Sequence, residues 1–314
     1  MAVEQTRITL RERIANALDS DLFHAFLASP ITIVATLCVL VLGLAALLAP
    51  WVAPHDPFNA ATLNLMDGFS KPMEPNAFTG NMYWLGTDDQ GRDIFSAILY
   101  GARISLFVGV MAVGFAIVLG VSLGLIAGYV GGFVDTAIMR IADVQLSFPS
   151  LLIALLIFGI VRSVIPVEHR EAMAVWVLIL AIGLSDWVQY ARTVRGTVMV
   201  EKSKEYVQAA KLIGVKPWRI MVTHILPNTV GPVLVIATIG LALAIIAEAT
   251  LSFLGVGVPP TQPSLGTLIR IGQGFLFSGE WWILAFPALA LLVLALSVNL
   301  LGDWLRDALN PKLR

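Results

Sequence analysis

A chain that acts on bonds needs groups placed to do so, and this 314-residue sequence offers few. Ser147 and Ser252 lie in apolar surroundings with no base nearby, which disfavours an intramembrane hydrolase. His24, His55, His169 and His224 are scattered and lack metal-ligand spacing, so solvent-facing or structural roles are expected of each. The phosphate loop Gly-x-x-x-x-Gly-Lys-Ser/Thr is absent, so the chain cannot be an ATPase by that route. Cys38, the single cysteine, excludes an internal disulfide and any cysteine-based metal site. The reading is therefore of no catalytic residue, no metal site and no cofactor on this chain. Two polar features stand out instead. One is Glu205-Tyr-Val-Gln-Ala-Ala-Lys-Leu-Ile-Gly214, an ordered polar insert between two long apolar runs. The other is Glu248, an acid inside an apolar run. The first is the pattern of a docking element, and the second is a charge that needs a partner.

Glu205 to Ile213 suits about two helical turns, with small Ala209 and Ala210 permitting close approach of another surface. Gly214 is a natural stop, because glycine takes the left-handed conformation cheaply. Pro217 is expected to prevent the helix from resuming, and Pro227 to sit at or near the start of the next helix. The plain alternative is a loop helix lying on the membrane, which Lys211, Lys216 and Arg219 would suit.

Glu248 shares a face with Gly240 and Ala244 by i, i+4, i+8 spacing. A charge at the bilayer centre costs about 2.5–3.5 kcal/mol on insertion scales, so Glu248 is expected to face other helices or an aqueous pathway. Both readings stay open. Gly120, Gly124, Gly128 and Gly132 recur every four residues and line one face, the pattern of a close helix–helix seam. Asp186, Arg140 and Asp143 are placed nearer helix ends, where pairing and snorkelling are expected.

The elements that must hold these residues are membrane helices. Hydrophobic residues make up 58% of the chain and charged residues 13%, about half the charged share of a soluble domain. The net charge of −1 leaves no nucleic-acid footprint. A span needs about 20 apolar residues, and six segments approach that, near 31–52, 102–128, 138–161, 173–191, 229–253 and 282–302. The third is weakest, because Asp143, Gln145 and Pro149 crowd its first half. With both termini placed in the cytoplasm, inside segments hold fourteen of the 20 Lys and Arg, including Arg7, Arg11, Arg13, Lys312 and Arg314. This puts the 205–214 segment inside. The chain divides into a cytoplasmic tail (1–30), an anchor helix with an outer loop (31–100), a core (101–302) holding a loop at 203–228, and a second tail (303–314). The outer loop is rich in turn formers and acids. It is a solvated connector or a surface for an extracytoplasmic partner, and its run Leu85-Gly-Thr-Asp-Asp-Gln-Gly-Arg-Asp93 is too specific for filler.

That run with Tyr100-Gly-Ala-Arg-Ile-Ser-Leu106, the Glu205–Gly214 segment with His224-Ile-Leu-Pro-Asn228, Ala247-Glu-Ala-Thr-Leu-Ser-Phe-Leu-Gly-Val-Gly-Val258, and Asn299-Leu-Leu-Gly-Asp-Trp-Leu-Arg-Asp-Ala-Leu-Asn-Pro311 occur in order. Together they resemble the C-type permease subunit of dipeptide/oligopeptide/nickel ABC importers, over essentially the whole chain after residue 30. The resemblance implies an all-α type I importer fold of six transmembrane helices in the bacterial inner membrane. Its implied partners are a homologous second permease, two ABC ATPases that carry ATP and Mg, and an extracytoplasmic binding protein. It also makes 203–228 the ATPase-coupling loop, with Glu205, Gln208, Ala209, Ala210, Gly214 and Pro217 as its site residues. The glutamate usual before Ala-Ala is Gln208 here, so docking rests more on shape and on Glu205. Short peptides are the implied cargo, with nickel chelates, glutathione-like or sugar-derived compounds as the alternative. An ion-coupled secondary transporter is the reading from a different class, and sparse intramembrane charge counts against it.

Overall fold

The computed structural model describes residues 26–59 and 63–308. The tail arginines Arg7, Arg11 and Arg13, along with His24, Lys312 and Arg314, lie outside the described residues. Among the described residues there are helices and isolated bridges but no strands. Among the described residues, nine helices of eight residues or more organise the fold: α1 Pro30–Leu47, α2 Ile94–Val130, α3 Gly132–Leu146, α4 Ser150–Val164, α5 Arg170–Glu201, α6 Glu205–Leu212, α7 Leu226–Phe253, α8 Leu265–Gln273 and α9 Trp282–Ala308. A short turn, Ala49–Val52, extends α1, and Pro217–Arg219 followed by a π-helical turn, Ile220–Ile225, leads into α7. Among the described residues, five helices are long and apolar enough to cross a membrane, or six if α3 and α4 count as one broken span.

Most of the expected spans are present but longer. At 1.5 Å per residue the 37 residues of α2 reach roughly 55 Å, well beyond a hydrocarbon core of about 30 Å. Asp93 caps its start, its carboxylate accepting from the Ser96 amide at 3.0 Å. Gly131, at φ +72°, ends it. The third expected span, 138–161, is not one helix. It divides into α3 and α4, which meet at 99° across Ser147-Phe148-Pro149. Proline at that point has no amide to donate and clashes with the preceding turn, so one straight helix is excluded.

The core is built around α2 and α5. A side chain at Gly120 would come within 2.5 Å of the Trp187 carbonyl, one at Gly124 within 2.5 Å of the Ala191 carbonyl, and one at Gly128 within 2.7 Å of Val198 Cβ. Only glycine allows this approach, so the three glycines and α5 form one close seam. Gly132 is off it, starting α3 at φ +58° with open space around it. Beside the seam, α7 packs on both helices. Below α7, the amphipathic α8 folds back against α9, where a side chain at Gly272 would meet the Ile283 carbonyl at 2.6 Å.

The loop from 63 to 93 is folded on itself around Asp67. That carboxylate accepts from Tyr83 Oη at 3.0 Å and Asn81 Nδ2 at 3.1 Å, and also from the Thr79 hydroxyl. Burial and the Asp67 charge push the Tyr83 phenol up to about 12. The run Leu85–Asp93 turns inward rather than outward: Thr87, Asp88 and Asp93 are buried. Trp282 of α9 donates from Nε1 to the Thr87 carbonyl at 3.2 Å, clamping the run onto the bundle. As a partner-facing surface, that run is therefore corrected to an internal clasp. The exposed part of the loop lies upstream, with Phe78 83% exposed.

Candidate functional site

The polar insert forms α6, Glu205–Leu212, as its residues suggest. Its end is a Schellman turn: the Val215 amide donates to the Ala210 carbonyl and the Gly214 amide to the Lys211 carbonyl, both at 3.0 Å. Gly214 sits at φ +78°, the left-handed region that a β-branched residue strongly disfavours. A side chain there would meet nothing within 4 Å, so the requirement is conformational rather than steric within this chain. Pro217 differs from expectation. It occupies the first turn of Pro217–Arg219, where its missing amide costs little, and starts a helical run instead of preventing one. Pro227 likewise lies in the first turn of α7.

The two alanines of α6 face opposite ways. Ala210 and Val207 are buried against the chain's own core with Ile220, Ile225 and Val198, so Ala210 is not free to meet another surface. Ala209 is exposed, together with Glu205 and Gln208. Gln208 donates from Nε2 to the Lys202 carbonyl at 2.8 Å, tying α6 back to the end of α5. Leu212 and Ile213 project from the end of α6 at 88% and 80% exposure, with Trp218 at 61% across the turn. Together they make an apolar knuckle on a loop otherwise carrying charge.

Beneath this knuckle, Glu201 gathers donors from three elements. It is 6% exposed. It accepts from Lys204 Nζ at 2.6 Å, from the Tyr206 hydroxyl of α6, and from Asn228 Nδ2 of α7 at 3.1 Å. Asn228 also donates to Tyr206 Oη at 2.8 Å and to the His224 carbonyl at 3.2 Å. One carboxylate thus fixes the orientation of α6 relative to the ends of two long helices. Nearby, Lys202 Nζ donates to the Gly128 and Tyr129 carbonyls at 3.1 and 3.2 Å, satisfying the open end of α2. Lys211 lies 5.6 Å over the Tyr129 ring. The Glu201 knot lay outside the sequence reading. Its one sequence signal is an acid, a tyrosine and an asparagine bracketing a charged loop.

Glu248 is wholly buried. Its Oε2 accepts from Ser105 of α2 and its Oε1 from Ser252, each at 2.7 Å. Ser105 Oγ also accepts from the Leu265 amide at the start of α8, at 3.3 Å. Ser252 therefore does have a carboxylate beside it, contrary to the reading of the sequence. No atom of Glu248 reaches a surface, however, and its oxygens are taken by hydroxyls that join α2, α7 and α8. The geometry favours an interhelical polar bond over a pathway group within this chain.

One further sequence placement changes, that of Asp186, while Asp143 is paired as expected. Asp143 pairs with Arg192, and Asp135 with Arg195, whose Nη2 lies 2.6 Å from Oδ2, so α3 is held along the second half of α5 by ion pairs. Those pairs carry α5 on to Glu201, which puts Asp186 at its middle rather than near an end. Among the described residues Asp186 has no cationic partner. His55 lies 4.0 Å from Asp93, and no group of three or more His, Cys, Asp and Glu among the described residues is arranged to hold a metal.

Comparison with known proteins finds relatives of the chain. A model described as "binding-protein-dependent transport system inner membrane component" matches residues 120–314. A second, "N-terminal TM domain of oligopeptide transport permease C", matches residues 20–72. The chain is 40% identical to the dipeptide transport system permease protein DppC of Haemophilus influenzae, covering 88% of each chain. It is 38% identical to the DppC of Bacillus subtilis over 88% of this chain and 80% of that one. The probable D,D-dipeptide transport system permease protein DdpC of Escherichia coli is 33% identical over 99% of this chain and 98% of its own. Among solved structures, an inward-facing MetNI methionine ABC transporter aligns with a TM-score of 0.52 at 17% identity, covering 68% of this chain and 96% of that one.

Proposed function

Because the chain belongs to the binding-protein-dependent transport inner-membrane component family, we propose that it is a permease subunit of an ATP-driven importer of short peptides, with α6 as its ATPase-coupling helix. The chain is a non-catalytic membrane subunit. Its neighbours in the working complex are a homologous second permease, two ABC ATPases holding ATP and Mg, and an extracytoplasmic binding protein. It lies in the bacterial inner membrane with both termini and the 203–228 loop in the cytoplasm, an orientation supported by the Lys and Arg bias. The regions 1–30, 31–100, 101–302 and 303–314 then serve as tail, anchor with outer loop, translocating core and second tail.

The observation that carries this reading is the Glu201 knot beneath the exposed knuckle. A docking element transmits force only if it is fixed to what it moves. Here α6 presents Leu212, Ile213, Ala209, Gln208 and Glu205 outward, while Glu201 and Asn228 bind it to α5 and α7. Burying each apolar knuckle side chain against a partner contributes about 1.5–3 kcal/mol. ATP binding closes the ATPase pair, which displaces α6 and swings the long helices from an inward-open to an outward-open arrangement. Cargo then enters from the binding protein, and hydrolysis resets the inward state. Moving such an equilibrium from 1:99 to 99:1 takes about 5.5 kcal/mol of differential binding, which a rigid loop can transmit.

The test is co-purification of the ATPases with the permease pair, alongside peptide-stimulated ATP hydrolysis. Leu212→Asp should remove both while leaving the permease pair intact. Retention of full ATPase binding by Leu212→Asp would reject α6 as the coupling helix.

A further inference from the structure

Asp186 lies at the middle of α5, where a membrane helix carries a charge only at considerable cost. Its hydrogen-bond neighbour is the Ser185 hydroxyl at 3.4 Å, and no Lys, Arg or His among the described residues pairs with it. The nearby acids of α3 are spoken for, since Asp135 and Asp143 bind Arg195 and Arg192. Both those arginines lie further along α5, so neither is free to answer Asp186.

The residues that follow on the same side of α5 are polar or small: Gln189, Thr193, Gly196 and Thr197. All are half-buried or exposed, whereas Val188, Ala191, Val194 and Val198 in the same stretch are sealed against the glycine seam and α3. The Thr193 and Thr197 hydroxyls donate to the Gln189 and Thr193 carbonyls at 2.9 and 3.1 Å. A side chain at Gly196 would meet open space. In the other direction along α5 the character reverses. Leu178, Ile179 and Ile182 are sealed, packed with Ala154 and Phe158 of α4. The second half of α5 therefore carries a polar strip about three turns long that begins at Asp186, next to the sealed apolar half of the helix. One turn on from Asp186, the buried Tyr190 hydroxyl, pressed against Gly240 of α7, has no hydrogen-bond partner.

We infer that Asp186, at the start of this polar strip, is a specificity-determining residue of the translocation pathway and pairs with the free α-ammonium group of a peptide in transit. The inference rests on the reading of the chain as a peptide-importer permease. A strip that stays polar for about three turns, from Asp186 to Thr197, has the character of a hydrated track. An ion pair to a neighbouring subunit would need a carboxylate at a contact point, but no polar track leading away from it. The unpaired acid is the one charge on that track, so it selects for a cation moving along it.

The test uses the complete complex in proteoliposomes with saturating binding protein. Uptake of labelled alanyl-phenylalanine is compared with that of propionyl-phenylalanine, the same molecule without its amine, in wild-type and Asp186→Asn complexes. The binding protein's own preference cancels, because each mutant-to-wild-type ratio is taken with one cargo and one binding protein. The ratio should fall at least about tenfold for the amine-bearing peptide and stay near one for its analogue, as loss of a desolvated ion pair demands. Equal losses for both cargoes, or no loss for either, would overturn the inference. Wild-type complexes that import neither cargo would instead reject the function on which it rests. A second measurement does not depend on the Asn variant folding. In a Cys38→Ala background, Thr193→Cys and Gly196→Cys should react with a water-soluble thiol reagent, while Ile182→Cys should not. Unreactive cysteines at both strip positions would also overturn the inference.

Discussion

Asn228 Nδ2 donates a 3.1 Å hydrogen bond to Glu201 Oε2, joining the first turn of α7 to the last residue of α5 across the base of the α6 loop. These residues are 27 apart in sequence, and the Tyr206 hydroxyl of α6 meets both of them. Any displacement of α6 is thereby shared by two long helices. Removing the charge should loosen the loop without unfolding the bundle, since hydrogen bonds to a charged group contribute about 1.5–3 kcal/mol each. Glu201→Gln should keep normal membrane abundance and lower the number of peptides imported per ATP hydrolysed. Unchanged stoichiometry would mean that the knot only caps α5.

The conformation of Gly214 gives a prediction with an internal control. Left-handed backbone costs an ordinary residue about 1–2 kcal/mol, whereas asparagine tolerates it. Gly214→Val should depress uptake severely, and Gly214→Asn should keep most of it, because neither side chain meets another part of this chain. Equal uptake by the two variants would remove the backbone argument.

The α2–α5 seam should tolerate no side chain. Gly124→Leu places its Cβ 2.5 Å from the Ala191 carbonyl, backbone against backbone, so the helices must separate. The purified variant should lose thermal stability or fail to accumulate, while Gly114→Leu, where space is open, should behave as wild type. A stable Gly124→Leu protein would show that the seam can open at little cost.

Orientation is checked by labelling. In a Cys38→Ala background, Phe78→Cys in the exposed part of the 53–93 loop and Ser203→Cys beside α6 should react with an impermeant reagent from opposite sides of the membrane. Reaction of both from one side would refute the six-span arrangement.

The seam and the α6 turn were legible in the sequence, because a four-residue glycine repeat and a glycine after a short amphipathic segment each have one dominant physical meaning. The break at Pro149 was half-legible: the polar residues around it weakened the span, yet length alone still favoured a single helix. Asp186 was misplaced for a clearer reason. Arg192 and Arg195 read as the end of a membrane span, whereas Asp143 and Asp135 of α3 neutralise them and let α5 run on to Glu201. Those partners are 49 and 60 residues away, beyond any local pattern. The inward turn of Leu85–Asp93 was hidden likewise, since its clasp is Trp282, 195 residues from Thr87. Patterns within one helix carry their own geometry; ion pairs and hydrogen bonds between distant helices do not.

In the proposed importer, this chain moves peptides using energy delivered through α6 from separate ATPases. Uptake of labelled dipeptide into proteoliposomes containing both permeases, with the loaded binding protein outside and ATP at the ATPases, measures it most directly. Uptake should require ATP and the ATPase subunits, should fall with Leu212→Asp, and should survive collapse of the ion gradients. Uptake that persists without the ATPases and disappears when the ion gradients collapse would instead mark an ion-coupled carrier and reject coupling through α6.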